Sequence, residues 1–186
     1  MPEKKKSPIL KIILIILGAL IAAGIVVGVV VGIGVAGEIS KINDYKSAVS
    51  EANSLILEYN KIGSLESIEL AQSTDKTAIK TAAANDVIKI QEVILYIENQ
   101  MDELGKQKAI TGDDNEAKEL YETLKSKEKA FMDFYKIAIE SYKLKSQGKF
   151  NAASKKMLTG NLKADNEFVV ALNNLNQYLV KKANNQ

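Results

Sequence analysis

The segment Ile12–Ala36 reads IILIILGALIAAGIVVGVVVGIGVA, twenty-five residues without a charged or strongly polar side chain. An α-helix rises about 1.5 Å per residue, so this segment would extend roughly 37 Å, more than the ~30 Å hydrocarbon core of a bilayer. The core of a small soluble protein does not need so long a helix that is apolar on every side. The segment therefore predicts a transmembrane helix and a lipid bilayer as its first partner.

The charges on either side of this span predict its orientation. Four lysines lie directly before it: Lys4, Lys5, Lys6 and Lys11. The residues that follow it are balanced in charge. The positive-inside rule therefore predicts a cytoplasmic leader (1–11), a single span of the cell membrane (12–36) and an extracytoplasmic domain (37–186). A cleaved signal peptide ending near Gly34-Val35-Ala36 is the alternative, although the apolar run exceeds the roughly 7 to 15 residues of such peptides. Both interpretations export the rest of the chain.

Small residues recur at every fourth position of the span, at Gly24, Gly28, Gly32 and Ala36. Residues four apart lie on one face of a helix, so they form a smooth strip that a second helix can approach closely. We expect this strip to be a packing face for another copy of the chain or for another membrane protein.

The composition argues against most catalytic and cofactor chemistry. Cysteine is absent, so there is no cysteine nucleophile and no thiolate metal site, and the absence of histidine removes the commonest general base and the commonest metal ligand. All 25 basic residues are lysine, so no arginine is present to clamp phosphate or read bases. Without the leader's four lysines and Glu3, 21 basic and 22 acidic residues remain, a net charge of −1. We expect no enzyme activity, no cofactor, no metal and no nucleic-acid partner.

Apolar spacing after the span predicts helices at about 38–62, 75–104, 114–147 and 150–181. Apolar residues recur at intervals of three and four in each. Ser73, Thr74 or Asp75 can cap the second helix, and glycines follow the second and third at Gly105 and Gly148. Residues 65–74 are ambiguous, and 106–115 read as a polar loop. Because the joints are short, the sequence predicts an all-α fold: a transmembrane helix continuing into an antiparallel up-down-up-down four-helix bundle.

This layout resembles the sensor half of bacterial chemoreceptors, in which a membrane helix runs into an extracytoplasmic four-helix bundle. The resemblance covers the whole chain in layout but matches no diagnostic motif. The sequence departs from these receptors because no second span follows Tyr178 and it lacks the arginines that often bind their ligands. No ligand residue is therefore transferred. The spacing of Gly148, Phe150 and Ala153 also resembles the turn of a tetratricopeptide repeat, without a second copy about 34 residues away.

Two stretches are apolar around the whole helix, Val93–Ile97 and Phe168–Leu172. Only about three positions in seven of such a helix face the core of a bundle. We therefore predict a possible interface containing Leu95, Tyr96, Val169 and Val170. The alternative is that these are isolated exposed apolar side chains, which are normal on protein surfaces.

These features predict a membrane-anchored interaction, structural or accessory module. The alternative is a ligand-sensing bundle that works with a separate signalling protein. A pilin-like filament subunit is a weaker third hypothesis, since no prepilin-type glycine lies between the lysines and the span.

Overall fold

The computed structural model of the chain describes residues 38–66, 70 and 73–184, and the regular secondary structure of this part is helical. The chain divides into two compact units, 1–41 and 42–186. Of the first unit only residues 38–41 are described, and they are helical. The lysine leader, the predicted span and its small-residue strip therefore lie outside the described residues. None of the helices in the described part combines the length and apolarity needed to cross a membrane.

Within the described residues of the second unit, six helices pack as a bundle. They are α1 (42–60), α2 (Lys76–Gly105), α3 (Lys108–Thr111), α4 (Asn115–Ser146), α5 (Phe150–Met157) and α6 (Leu162–Asn184). A 3₁₀ turn, Lys61–Ser64, follows α1.

Side chains and one glycine set the helix ends near the positions that the sequence predicts. The Asp75 carboxylate accepts the backbone N–H groups of Thr77 and Ala78 and so caps α2. Asp114 caps α4 in the same way through the N–H of Ala117. Gly148 has a φ of 78°, in the left-handed region that glycine adopts without a steric cost. It therefore ends α4 and lets the chain turn at once into α5.

The long central helix α4 packs against α2, α5 and α6. The buried Tyr121 hydroxyl of α4 donates to the backbone carbonyl of Met101 in α2 at 3.0 Å. Towards α6, Phe131 stacks on Phe168 with ring centroids 4.2 Å apart. Both phenylalanines are fully buried. These aromatic and aliphatic contacts build one continuous core.

Polar contacts place α1 beside α2. Ser47 Oγ donates to Gln107 Oε1 just beyond α2 at 2.8 Å, and Gln100 Nε2 donates to Glu51 Oε2 at 2.5 Å. Residue numbers rise along α1 as they fall along α2, so the two helices run antiparallel.

The prediction of one helix over 150–181 is wrong, because the chain breaks between α5 and α6. The turn contains Gly160, which lies so close to Phe134 that a Cβ here would be 3.0 Å from Phe134 Cδ2. Asn161 Oδ1 then accepts the Lys163 N–H at 3.2 Å at the start of α6. The apolar spacing in the sequence does not reveal this break, because Met157 and Ala164 are seven residues apart, which is the spacing of two turns in an unbroken helix.

The segment 106–115 is also not wholly a loop. Its middle forms the short helix α3, which buries Ala109 and Ile110. The first helix ends slightly earlier than predicted, at residue 60.

Candidate functional site

The first candidate site is a cleft between the C-terminal part of α4 and α5. Gly148 makes the sharp turn between these helices, and buried Ser141 Oγ donates to the Ala153 carbonyl at 2.7 Å, which fixes α5 against α4. The cleft has a volume of about 230 Å³ and is lined by Ser141, Tyr142, Lys145, Phe150, Ala153, Ser154 and Met157. Its lining combines apolar side chains with hydroxyl groups and one ammonium group, a composition that suits a small amphipathic ligand with a negative charge.

The cleft lies within a basic region, residues 141–164, which we call the basic tip. This region contains six lysines and no acidic residue. Four of the lysines are exposed and form no ion pair within the described residues: Lys143, Lys149, Lys155 and Lys163. The tip therefore carries a local positive charge, although 37–186 as a whole has a net charge of −1.

Acidic side chains near the basic tip already have partners. Glu140 pairs with Lys156, Glu167 with Lys127 and Asp133 with Lys129. Asp165, just beyond the tip, accepts two tyrosine hydroxyls. These acids therefore leave the four exposed lysines unneutralised.

Two leucines project from the turn between α5 and α6. Leu158 is 80% exposed and Leu162 is 62% exposed. Because Gly160 between them lies directly against Phe134, the turn is held on the bundle while both leucine side chains face outward. Water contact with so much apolar surface is unfavourable, at about 25 cal/mol per Å².

A second constellation consists of two tyrosine–aspartate–tyrosine clusters between α1, α4 and α6. In the first, Asp165 Oδ2 accepts the Tyr59 hydroxyl at 2.9 Å and Asp165 Oδ1 accepts the Tyr135 hydroxyl at 2.7 Å. Burial, with the charge and hydrogen bond of Asp165, raises the pKa of Tyr59 to about 12. Burial and the same carboxylate also raise the pKa of Tyr135.

In the second cluster, the Asp114 carboxylate accepts the hydroxyls of Tyr45 and Tyr178, the latter at 2.8 Å. Burial would raise the pKa of Asp114, but the tyrosine and Ala117 hydrogen bonds, together with Lys182 at 3.6 Å, lower it on balance. Burial and the bond to Asp114 raise the pKa of Tyr45 to about 12. Both carboxylates are occupied by tyrosines that are neutral at pH 7, so these clusters join helices and are not acid–base pairs.

The four residues of the predicted interface are found in two separate places. Leu95 and Tyr96 on α2 are exposed, and so is Val170 on α6, whereas Val169 is half-buried against the core. Helix α2 packs beside α1 and α4, and α6 also contacts both of these helices. Because α2 and α6 are therefore diagonal in the bundle, these residues do not form one continuous patch.

Sequence reasoning did not identify the basic tip or the tyrosine–aspartate clusters. The absence of acids over 141–164 was a readable signal for the tip. The clusters gave no local signal, because Tyr59 and Asp165 are 106 positions apart. No group of three or more potential metal-ligating side chains occurs in the part of the chain that is described.

Comparisons with models of protein families, with curated proteins and with solved structures find no significant match to this chain. The helical bundle and its surface chemistry are thus the features that bear on function.

Proposed function

We propose that the chain is a single-pass membrane protein whose extracytoplasmic four-helix bundle, of up-down-up-down topology, acts as a protein-interaction or accessory module. The uncharged segment 12–36 and the lysines before it support the anchor and its orientation. The small-residue strip in this segment gives the anchor a face for a second membrane helix.

One surface observation carries the interaction role. Ile88 and Leu95 are 57% and 59% exposed on α2. They are seven residues apart, so they share one helix face, and the half-exposed ring of Tyr96 lies beside them. The bundle already has a complete core below this face, in which Ile90 and Ile97 are fully buried. A partner protein or a second copy of the chain would cover the outer apolar pair.

Photo-crosslinking in intact membranes tests this role. A photoreactive amino acid at Leu95 should give a discrete adduct, whereas the same group at Ala130, exposed on α4, should give none. Absence of an adduct at position 95, or equal adducts at both positions, would contradict an interaction face on α2. If a second copy of the chain covers this face, sedimentation of the Ile88→Asp, Leu95→Asp variant should show a smaller assembly than for the parent chain. Val169 is unsuitable for this test because it packs against the core.

The membrane topology has its own test, which uses the natural absence of cysteine. In Asn184→Cys, an impermeant maleimide should label intact cells. In Ser7→Cys, it should label only after lysis. Labelling of Ser7→Cys in intact cells would show that the N-terminus lies outside the cell, opposite to the proposed orientation. Loss of residue 7 from the mature chain would instead mean that the leader is a cleaved signal peptide.

The cleft between α4 and α5 favours a second candidate, a ligand-sensing bundle that works with a separate signalling partner. Its mixed polar and apolar lining has the character of a small-molecule site, and its volume of about 230 Å³ restricts it to a small ligand. Thermal stabilisation of the chain by a small anionic amphiphile would support sensing. Loss of that stabilisation in Ser154→Leu would locate the ligand in the cleft.

A further inference from the structure

We propose that the basic tip binds the surface of a lipid bilayer that carries net negative charge. The inference rests on residues 141–164 and holds whether or not the predicted span anchors the chain. It assigns a binding role to a surface that the interaction role on α2 does not use.

The first argument is charge. Lys143, Lys149, Lys155 and Lys163 are exposed and form no ion pair within the part of the chain that is described. Lys80 of α2 adds to them, because its side chain reaches to within 4 Å of the position that a Cβ of Gly148 would occupy. Lysines near an anionic membrane surface each strengthen binding by roughly 1 kcal/mol, about fivefold in affinity.

The second argument is the pair of exposed leucines. Leu158 and Leu162 project from a turn, not from a groove, and Lys155 and Lys163 lie close to them in sequence. Apolar side chains that are surrounded by lysines can enter the acyl boundary of a bilayer while the ammonium groups remain among the headgroups. The contact between Gly160 and Phe134 holds the turn in place, so little ordering is needed on binding.

These two features together favour a bilayer over an acidic protein or another polyanion. A polyanion would use the lysines but would leave both leucines in water. A helix or strand of an acidic partner would need an apolar groove to accept its own side chains, and Leu158 and Leu162 form a projection. A charged surface with an apolar interior matches both features.

The position of the tip is also suitable. Tyr45, near the start of α1, bonds to Asp114 at the N-terminal end of α4. The basic tip instead extends along the C-terminal part of α4, from Gly148 just beyond its end to the turn at Gly160, which packs against Phe134. The basic tip therefore lies away from residue 42 along the length of the bundle.

The test measures capture of the full chain by immobilised vesicles. The chain is first placed in nanodiscs of phosphatidylcholine, which would shield a membrane helix from the vesicles. Vesicles of phosphatidylcholine with phosphatidylglycerol should capture the discs, and vesicles of pure phosphatidylcholine should not. Raised salt should weaken the capture. If the chain does not enter nanodiscs, the prediction of a membrane anchor is wrong. Capture by the vesicles is then measured on the lipid-free chain.

Two variants and two controls locate the contact. Lys155→Gln with Lys163→Gln should weaken capture about 25-fold, and Leu158→Ser with Leu162→Ser about tenfold. Matched controls on other surfaces should change it less than twofold: Lys108→Gln with Lys118→Gln, and Ile39→Ser with Leu57→Ser. All eight side chains are exposed, so each variant should unfold at the same temperature as the parent.

Each outcome decides the proposal. Selective capture by the charged vesicles, lost in the tip variants and kept in the controls, would establish it. Equal capture by both vesicle types would overturn it. So would equal losses in tip and control variants, or an absence of capture by the charged vesicles, which would leave an acidic protein as the better partner.

Discussion

Asp165 offers the sharpest test of what holds the bundle together, because two tyrosines from different helices depend on it. Its carboxylate accepts the hydroxyls of Tyr59 in α1, at 2.9 Å, and of Tyr135 in α4, at 2.7 Å. Tyr135 is only 5% exposed, so water cannot replace the lost acceptor without opening the core. Asp165→Ala should therefore leave one buried hydroxyl and one half-buried hydroxyl without this partner.

The expected cost follows from these contacts. A buried polar group left without a partner costs about 1–3 kcal/mol, and Tyr135 should be near the upper part of that range. The half-buried Tyr59 hydroxyl adds about 0.5–1 kcal/mol. Removal of an acid from the first turn of α6 adds about 0.3–1 kcal/mol. The free energy of unfolding should fall by about 3–5 kcal/mol, which lowers the melting temperature by roughly 6–20 °C.

The assay is urea unfolding of the full chain in one detergent, followed by near-ultraviolet circular dichroism of the buried aromatic rings. The matched control is Glu167→Ala, which removes an acid of the same helix whose pair with Lys127 is exposed, and which should cost under about 1 kcal/mol. The decisive variant combines Asp165→Ala with Tyr59→Phe and Tyr135→Phe. It leaves no hydroxyl in need of an acceptor, so it should be more stable than Asp165→Ala alone. If it is not, or if Asp165→Ala costs no more than the control, the hydroxyl argument is refuted.

Three further predictions concern a close contact, a cap and two ionisations. Gly105→Ala should destabilise the bundle by about 1–3 kcal/mol in urea unfolding, because the new Cβ would lie 2.2 Å from Tyr121 Oη and this overpacking exceeds the gain in helix propensity. Asp75→Ala should cost about 1 kcal/mol in thermal unfolding through loss of the α2 cap, and Asp75→Ser should recover most of it. The pKa values of Tyr45 and Tyr59 are raised to about 12 from 10.0, so their contribution to stability is complete below pH 10 and is lost as the pH rises through 12. In a pH titration, tyrosinate absorbance should therefore appear at a higher pH in the folded chain than in the chain denatured by urea.

The main helices were predictable because their signals are local. The apolar residues of α2 recur at intervals of three and four and so share one face of the helix. Ile90, Ile97 and Met101 on this face are buried, as their spacing predicts. The helix ends were predictable for the same reason. Asp75 reaches N–H groups two and three residues away, and Gly148 supplies a backbone conformation that few other residues adopt.

The break between α5 and α6 was not predictable from apolar spacing, although Gly160-Asn161 is a local turn signal. Gly160 is needed where the chain approaches Phe134, and no pattern within 150–181 reveals that neighbour. The interface hypothesis failed to separate Val169 from Val170 for a similar reason. A run that is apolar around the whole helix does not show which side faces the core, and only packing against α1 and α4 decides it.

The two tyrosine–aspartate clusters explain how α1 keeps one register in the bundle. Tyr45 and Tyr59 are fourteen residues apart, close to four helical turns, so both face the same side of α1. One reaches Asp114 at the cap of α4, and the other reaches Asp165 in the first turn of α6. Small buried residues of α1, such as Ala48 and Ala52, would allow α1 to slide along its axis by one helical turn, since its apolar residues recur at nearly that interval. Two directional bonds to fixed carboxylates do not tolerate it, so apolar burial supplies the stability of α1 and the tyrosine hydroxyls select its position.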